Sequence, residues 1–242
     1  MHLKKYSRDA PYSYAFGVFP TLELLRYQLK YVEEVRLHSA GARNEGVEKI
    51  AALCGGARIP LVRDDKLVER LSPKANTYAI GVFKKYRPAL DPHANHVVLV
   101  NPGDMGNLGT VLRTLVGFGI SDLALVKPAA DIFDPRVIRA SMGALFQVNF
   151  AYYDNFNDYH LAFGHHVYPF MTDGAVSIHE ADFAEPFALV FGGESSGLPP
   201  GYHAVGTSIT IPHRPAIDSL NLSVAIGIGV YAATQGTLNT ER

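Results

Sequence analysis

Apolar residues recur at helical spacing over residues 21–37, TLELLRYQLKYVEEVRL, where Leu22, Leu25, Leu29 and Val32 fall on one face. This spacing predicts a helix with Thr21 as its cap and Glu23 in its first turn. The next stretch, EGVEKIAALCGGARIPLVRDDKLVERLS, reads as a helix stopped by glycine, a short strand and a short helix. Together these segments make a small α/β module. Charge and two prolines in KKYRPALDPHANH, residues 84–96, predict a linker. Beyond it the pattern changes to continuous apolar runs, HVVLV, LALV, HHVYPFM, FALVF and SITIP, which read as strands. NPGDMGNLG and the helical TVLRTLVGFGI separate the first two runs, so strand, glycine-rich loop, helix and strand form a βαβ unit and a parallel sheet is expected. DPRVIRASMGALFQV begins a helix with Asp134 as cap and Pro135 at the first helical position. The closing SLNLSVAIGIGVYAAT is a helix apolar all round, and Gly227, Gly229, Ala232 and Ala233 suit close burial against another helix.

Composition narrows this picture. With 242 residues, 48% apolar content and mean hydropathy near zero, the chain reads as a soluble globular protein of one large or two modest domains. The longest apolar run, Val224 to Ala233, is about half of what a bilayer requires. The basic start MHLKKYSRDAPYSY has no apolar segment behind it, so no secretory signal is expected and a cytoplasmic location is. Cys54 is the single cysteine, which excludes an internal disulfide and a multi-cysteine zinc site and suits a small core residue. His93, His96, His165 and His166 lack the His-Glu-x-x-His spacing and any clustered carboxylate, so no metal site is expected. Net charge is −1, yet residues 1–90 hold 16 Lys and Arg against 9 Asp and Glu, and residues 91–242 hold 6 against 14. A basic first half suits a phosphate backbone, while mutual attraction of two domains explains the asymmetry equally well. Tyr12, Tyr14, Phe16 and Phe19 are candidates for stacking on bases, with packing onto the module as the commoner use of such rings.

Three features carry candidate chemistry. Gly193-Glu194-Ser195-Ser196-Gly197 has the form of a hydrolase nucleophile elbow, but Leu198-Pro199-Pro200-Gly201 is a poor continuation into helix and no histidine follows Asp218. Only a rearranged triad through His203 or His213 would serve. Gly103, Gly106 and Gly109 match neither the dinucleotide fingerprint nor a P-loop, although a glycine loop opening a helix can bring backbone N–H groups to a ligand. Arg113 is the only charge in GTVLRTLVGFGI, so a buried guanidinium, paired or functional, is expected; the alternative is an arginine reaching the surface or an interface carboxylate.

Taken together, NLGTVLRT, VFGGESSGLP and IPHRPAIDSLNLSVAIGI resemble in order and spacing the three motifs of the SpoU (TrmH) family of RNA ribose 2′-O-methyltransferases in the SPOUT superfamily. VIRASMGALF is similar to the second helix of that family's catalytic domain, and the first 85 or so residues to the small RNA-binding module that often precedes it. The resemblance implies an α/β fold with a module at residues 1–87 and, at 88–242, a parallel-sheet catalytic domain threaded as a trefoil knot, an exception to the rule against knots. It implies Arg113 and Asn107 from the first motif, Glu194 from the second and Ser219 and Asn221 from the third as catalytic residues. Gly192, Gly193, Gly197, Ile211 and Leu220 would hold S-adenosyl-L-methionine. Asn107, Ser219 and Asn221 would orient Arg113, and Glu194 would hold the arginine or the loop. Met105 replaces the proline usual two residues before the motif's asparagine, a change in loop shape. The implied substrate is tRNA or rRNA, not DNA, because the acceptor is a ribose 2′-hydroxyl. The implied assembly is a homodimer, which the apolar, small-residue C-terminal helix also suits. A non-catalytic RNA-binding protein retaining the fold is the alternative, disfavoured by the presence of all five polar motif residues.

Overall fold

The computed structural model describes residues 3–72 and 76–238. Its elements are β1 (Tyr12–Phe16), α1 (Val18–Tyr27), β2 (Val32–Leu37), α2 (Glu45–Ala57), β3 (Leu61–Arg63), α3 (Asp65–Leu71), β4 (Ala79–Lys84), β5 (His96–Val100), α4 (Met105–Gly117), β6 (Asp122–Val126), α5 (Pro135–Ala140), β7 (Asn149–Tyr153), α6 (Phe156–Ala162), β8 (His166–Pro169), β9 (Val176–Ser177), β10 (Phe187–Gly192), β11 (Ile209–Thr210) and α7 (Leu222–Leu238). They form two compact units, one of residues up to 86 together with 131–147, the other of 87–130 together with 148 onward.

The first unit is a four-stranded sheet in the order β1-β4-β2-β3. Tyr14, Phe16, Ile80 and Val82 cover one core with Leu67, Val68 and Leu71 of α3. The helix expected over 21–37 is half strand. α1 ends at Tyr27, and Val32–Leu37 runs antiparallel to β4 and parallel to β3. Val32, Val35 and Leu37 are buried there, so sheet pairing and a valine-rich pattern override the helical spacing. Thr21 is not a cap: it lies inside α1, fully buried, and donates to Gly17 O at 2.8 Å. No acidic residue occupies the first turn of α1. Nor does glycine stop α2, which runs through Gly55 and Gly56 and ends at Arg58 in the left-handed region, φ 57°.

Segment 131–147, expected in the second domain, packs with the first unit. Phe83 meets the rings of Phe133 and Phe146 at 5.8 and 5.3 Å, and Ser13 Oγ donates to Phe133 O at 2.6 Å. Its apolar side chains find their core there. Asp134 caps α5 as expected, accepting from Arg136 N–H at 2.8 Å, but the helix stops at Ala140 before left-handed Met142 and Gly143.

The second unit is a five-stranded, wholly parallel sheet in the order β7-β6-β5-β10-β8. β7 and α6 have no counterpart among the segments predicted above. Val98, Val100, Ala124, Val126, Ala188 and Val190 face one core with Phe156 and Tyr159 of α6. α4 packs against α7, and α7 against β10. At Gly229 a Cβ would lie 2.8 and 2.9 Å from the rings of Phe170 and Phe191, so the close burial expected of the C-terminal helix holds on that side. His96, which the sequence places both at the end of the linker and at the head of the HVVLV run, is a buried residue of β5, as the strand reading expects. The glycine-rich loop is also shorter than expected, since α4 begins at Met105 and takes Gly106 and Gly109 into the helix. No helix among the described residues is long and apolar enough to cross a membrane.

Candidate active site

The parallel register aligns Gly192 of β10 with Val100 of β5, so the turns after these strands lie side by side. Ligands of open parallel sheets collect at this carboxyl edge. Asn101 follows β5 in the left-handed region, φ 57°, and Asp104 caps α4 by accepting from Asn107 N–H at 2.7 Å. After β10 the chain folds back on itself: Gly197, φ 60°, donates to Gly193 O at 3.0 Å. A Cβ on Gly193 would stand 2.5 Å from Asn101 O, and one on Gly192 would collide with the backbone of Gly197, so side chains are excluded on both sides of the turn.

Glu194 sews the two turns together. Its carboxylate accepts from Gly103 N–H at 3.2 Å, Asp104 N–H at 3.3 Å and Asn107 Nδ2 at 3.1 Å. Partial burial pushes its pKa up, but its own N–H and these three donors together outweigh burial, so the carboxyl sits below the ordinary glutamate value. The third segment joins through Asn221, whose Nδ2 donates to Asn107 Oδ1 at 3.3 Å. Asn221 Oδ1 meanwhile accepts from the N–H and Oγ of Ser223 at 2.9 and 2.7 Å, holding the first turn of α7. Asn221, Asn107 and Glu194 thus form one relay across three segments far apart in sequence.

Beside the relay lies a cavity of about 310 Å³. Gly192, Gly193, Gly197, Ile211 and Leu220, the five positions expected to hold a cofactor, all line it, and so do Glu194 and Ser219. Phe170, Leu198, Ile209 and Leu222 supply apolar wall, while Thr172, Asp173, Ser195 and Ser196 supply polar groups. A cavity of this size and mixed lining suits a small ligand with both apolar and polar parts. The wall Phe170–Asp173 went unnoticed in the sequence; its only signal is its place directly after β8.

Arg113 is elsewhere. It is exposed on the outer face of α4 in line with Gly106, Thr110 and Gly117, does not line the cavity, and has no hydrogen bond or ion pair among the described residues. The buried, paired guanidinium expected from the sequence is therefore corrected: small residues around it leave a solvent-facing stripe. Glu194 holds the loop and not the arginine, and among the described residues neither Asn107 nor Asn221 hydrogen-bonds to it.

The elbow reading also fails. Ser195 is exposed and bonds to no histidine. His203 does join a serine to an aspartate, with Ser208 Oγ at 3.1 Å and Asp173 Oδ1 at 3.3 Å. Ser208 is buried, however, and its Oγ already accepts from Ala175 N–H at 3.0 Å, so this hydroxyl cannot reach a substrate. No cluster of metal ligands occurs among the described residues.

A family model, the SpoU rRNA Methylase family, matches residues 94–231, which include the relay and every wall of the cavity. The chain belongs to this family. It is 36% identical over 145 residues to the 23S rRNA (adenosine(1067)-2′-O)-methyltransferase of Streptomyces laurentii, a match covering 57% of this chain and 53% of that one. The chain therefore spans about half the length of that relative. A protein of the same name from Streptomyces azureus is 29% identical over 240 residues, with 87% and 88% covered. Among solved structures, the AdoMet-bound rRNA methyltransferase of Sinorhizobium meliloti superimposes with TM-score 0.77 at 25% identity, covering 93% of this chain and 88% of that one. The likeness to that structure therefore reaches residues outside the 94–231 match.

Proposed function

We propose that the protein methylates a ribose 2′-hydroxyl of structured RNA, using S-adenosylmethionine bound in the cavity of about 310 Å³. The observation that carries this reading is the convergence of the three motif segments on one cavity through the Asn221–Asn107–Glu194 relay. S-adenosylmethionine, when bound, supplies an activated methyl group. Phe170, Leu198, Ile209 and Leu222 would enclose its adenine, and the backbone of 192–198 and 219–221 would face its polar groups. The protein's remaining task is to align the ribose oxygen and steady the charge that develops on it. A charged guanidinium has no lone pair to accept a proton, so Arg113 engages the nucleophilic oxygen or a neighbouring phosphate.

In this reading the active protein is a homodimer. Val224, Ile228 and Tyr231 form an exposed apolar stripe on α7, beside the exposed face of α4 that carries Arg113. Pairing of two such faces buries the stripe and brings Arg113 towards the partner's cavity, which gives the unpaired guanidinium its use. We also assign the first unit to RNA binding, place the protein in the cytoplasm, and infer a trefoil-knotted path for the segment before α7. The deciding experiment is incubation of the protein with S-adenosylmethionine and unmodified 23S rRNA or tRNA transcripts, digestion, and mass spectrometry of the nucleosides. A 2′-O-methyl nucleoside absent from an Arg113→Ala control is the expected result. Binding of S-adenosylmethionine without transfer to any RNA would leave the non-catalytic alternative standing.

A further inference from the structure

We propose that the outer face of α1 is a docking platform for unpaired RNA nucleotides, an inference that rests on RNA being the substrate. Of the four N-terminal aromatics, Tyr14 and Phe16 are buried, and Tyr12 stacks edge-on against Tyr14. Phe19 is different. It stands 63% exposed at the start of α1, and Tyr27 stands 52% exposed at its end. Among the described residues neither ring has an aromatic, cationic or hydrogen-bonding partner. Two large rings left in water on one short helix need an explanation, since packing gives them none.

The surroundings point to a polyanion with flat bases. Arg26 lies two turns beyond Phe19 on the same face, and Lys30 follows just after the helix with its ammonium 4.9 Å from the centre of the Tyr31 ring. The one carboxylate within the stripe, Glu23, is already engaged by Arg26 at 3.0 Å and Gln147 at 2.9 Å. Met142 flanks the stripe in the loop whose Gly143 lies against Pro20 and Glu23, and it is exposed as well. Eight residues of helix separate Phe19 from Tyr27 by about 12 Å, the rise of three to four stacked nucleotides. Exposed rings interleaved with cations are what single-stranded nucleic acid requires: stacking surfaces for bases and charge for phosphates. A duplex offers no free base faces and fits less well.

The chain contains no tryptophan, so Phe19→Trp creates a single fluorescent reporter on this face. Titration of that variant with single-stranded oligouridine should quench it saturably, and duplex RNA of the same length should not. Leu161→Trp, at a position 77% exposed on α6, should respond to neither. In transfer assays Phe19→Ala should raise KM for RNA about tenfold with kcat and S-adenosylmethionine affinity unchanged, and Phe19→Tyr should restore it. Equal quenching by duplex, no quenching by either RNA, or quenching that depends on protein concentration alone, which would mark a second copy on this face, overturns the platform. An unchanged KM in Phe19→Ala overturns it too while leaving the methyltransferase reading intact. If the wild-type protein methylates no RNA, that reading falls and the oligouridine titration still decides the platform.

Discussion

The carboxyl edge of the second sheet and the outer faces of α4 and α7 lie within one unit and have opposite characters. At the edge, Glu194 has three donors from the first motif, Asn107 bonds on both sides, and Asn221 ties the third segment in. On the outer faces, Arg113 has no hydrogen bond or ion pair among the described residues, and Val224, Ile228 and Tyr231 are partly exposed. One chain is thus sufficient to build the cavity. It does not bring the cation to that cavity, and the homodimer proposed above is what would supply it.

The largest effect expected is from Arg113→Ala, which should lower the single-turnover rate of methyl transfer by about a hundredfold to a thousandfold while calorimetry finds S-adenosylmethionine affinity unchanged. Loss of cofactor affinity instead would put the arginine at the cavity and erase the contrast. The contrast sharpens when Arg113→Ala is mixed in equal amounts with Glu194→Ala, which lacks all three bonds between the loops beside the cavity and is expected to be inactive as well. If the arginine acts across the interface, half of the dimers are mixed and each has one intact site, so about a quarter of the wild-type rate returns. Action within one chain returns nothing.

Next in size is the interface itself. Val224→Asp with Tyr231→Asp puts charge into the apolar stripe and should convert a dimer to monomers in sedimentation, with S-adenosylmethionine binding retained by the monomer. Glu194→Gln should then cost stability of about 1 kcal/mol, because a partly exposed carboxylate loses charge-assisted hydrogen bonds that solvent already weakens. Its pH dependence has a definite sign. The folded carboxyl is held below its unfolded value, so its stabilisation is complete above the ordinary glutamate pKa of about 4.3 and disappears as pH falls through the lower folded value. Urea melts of wild type and Glu194→Gln should therefore differ at neutral pH and converge in acid. The smallest effect, about 0.5–1 kcal/mol, is expected for Asn221→Ala, which removes the bonds to Ser223 at the start of α7.

Much of the second unit was legible in the sequence because its central strands β5, β6 and β10 are buried on both faces and read as unbroken apolar runs. The cavity was legible for another reason: Gly192 and Gly193 are fixed by backbone collisions and Gly197 by its left-handed φ of 60°, and such positions leave a mark in the sequence. Arg113 was misjudged since its neighbours on α4, Gly106, Thr110 and Gly117, are small, and small residues suit a buried face and an interface alike. In the first unit Val32–Leu37 kept a helical spacing yet joined a sheet, because the partner strand that decides the matter begins 42 residues further on at Ala79. The cap at Asp104 and the wall Phe170–Asp173 depended on which strand ends lie side by side, which local pattern does not record.

The excursion of residues 131–147 has a consequence for inheritance. The first unit is encoded in two pieces, and Phe83 and Ser13 depend on the second of them for Phe133 and Phe146. A gene fragment ending near codon 86 would encode a sheet stripped of part of its core, and its complement would carry those phenylalanines with nothing to cover them. Recombination at the apparent linker would therefore yield two defective halves, so exchange of this N-terminal unit between genes demands either co-transfer of the insert or its redesign.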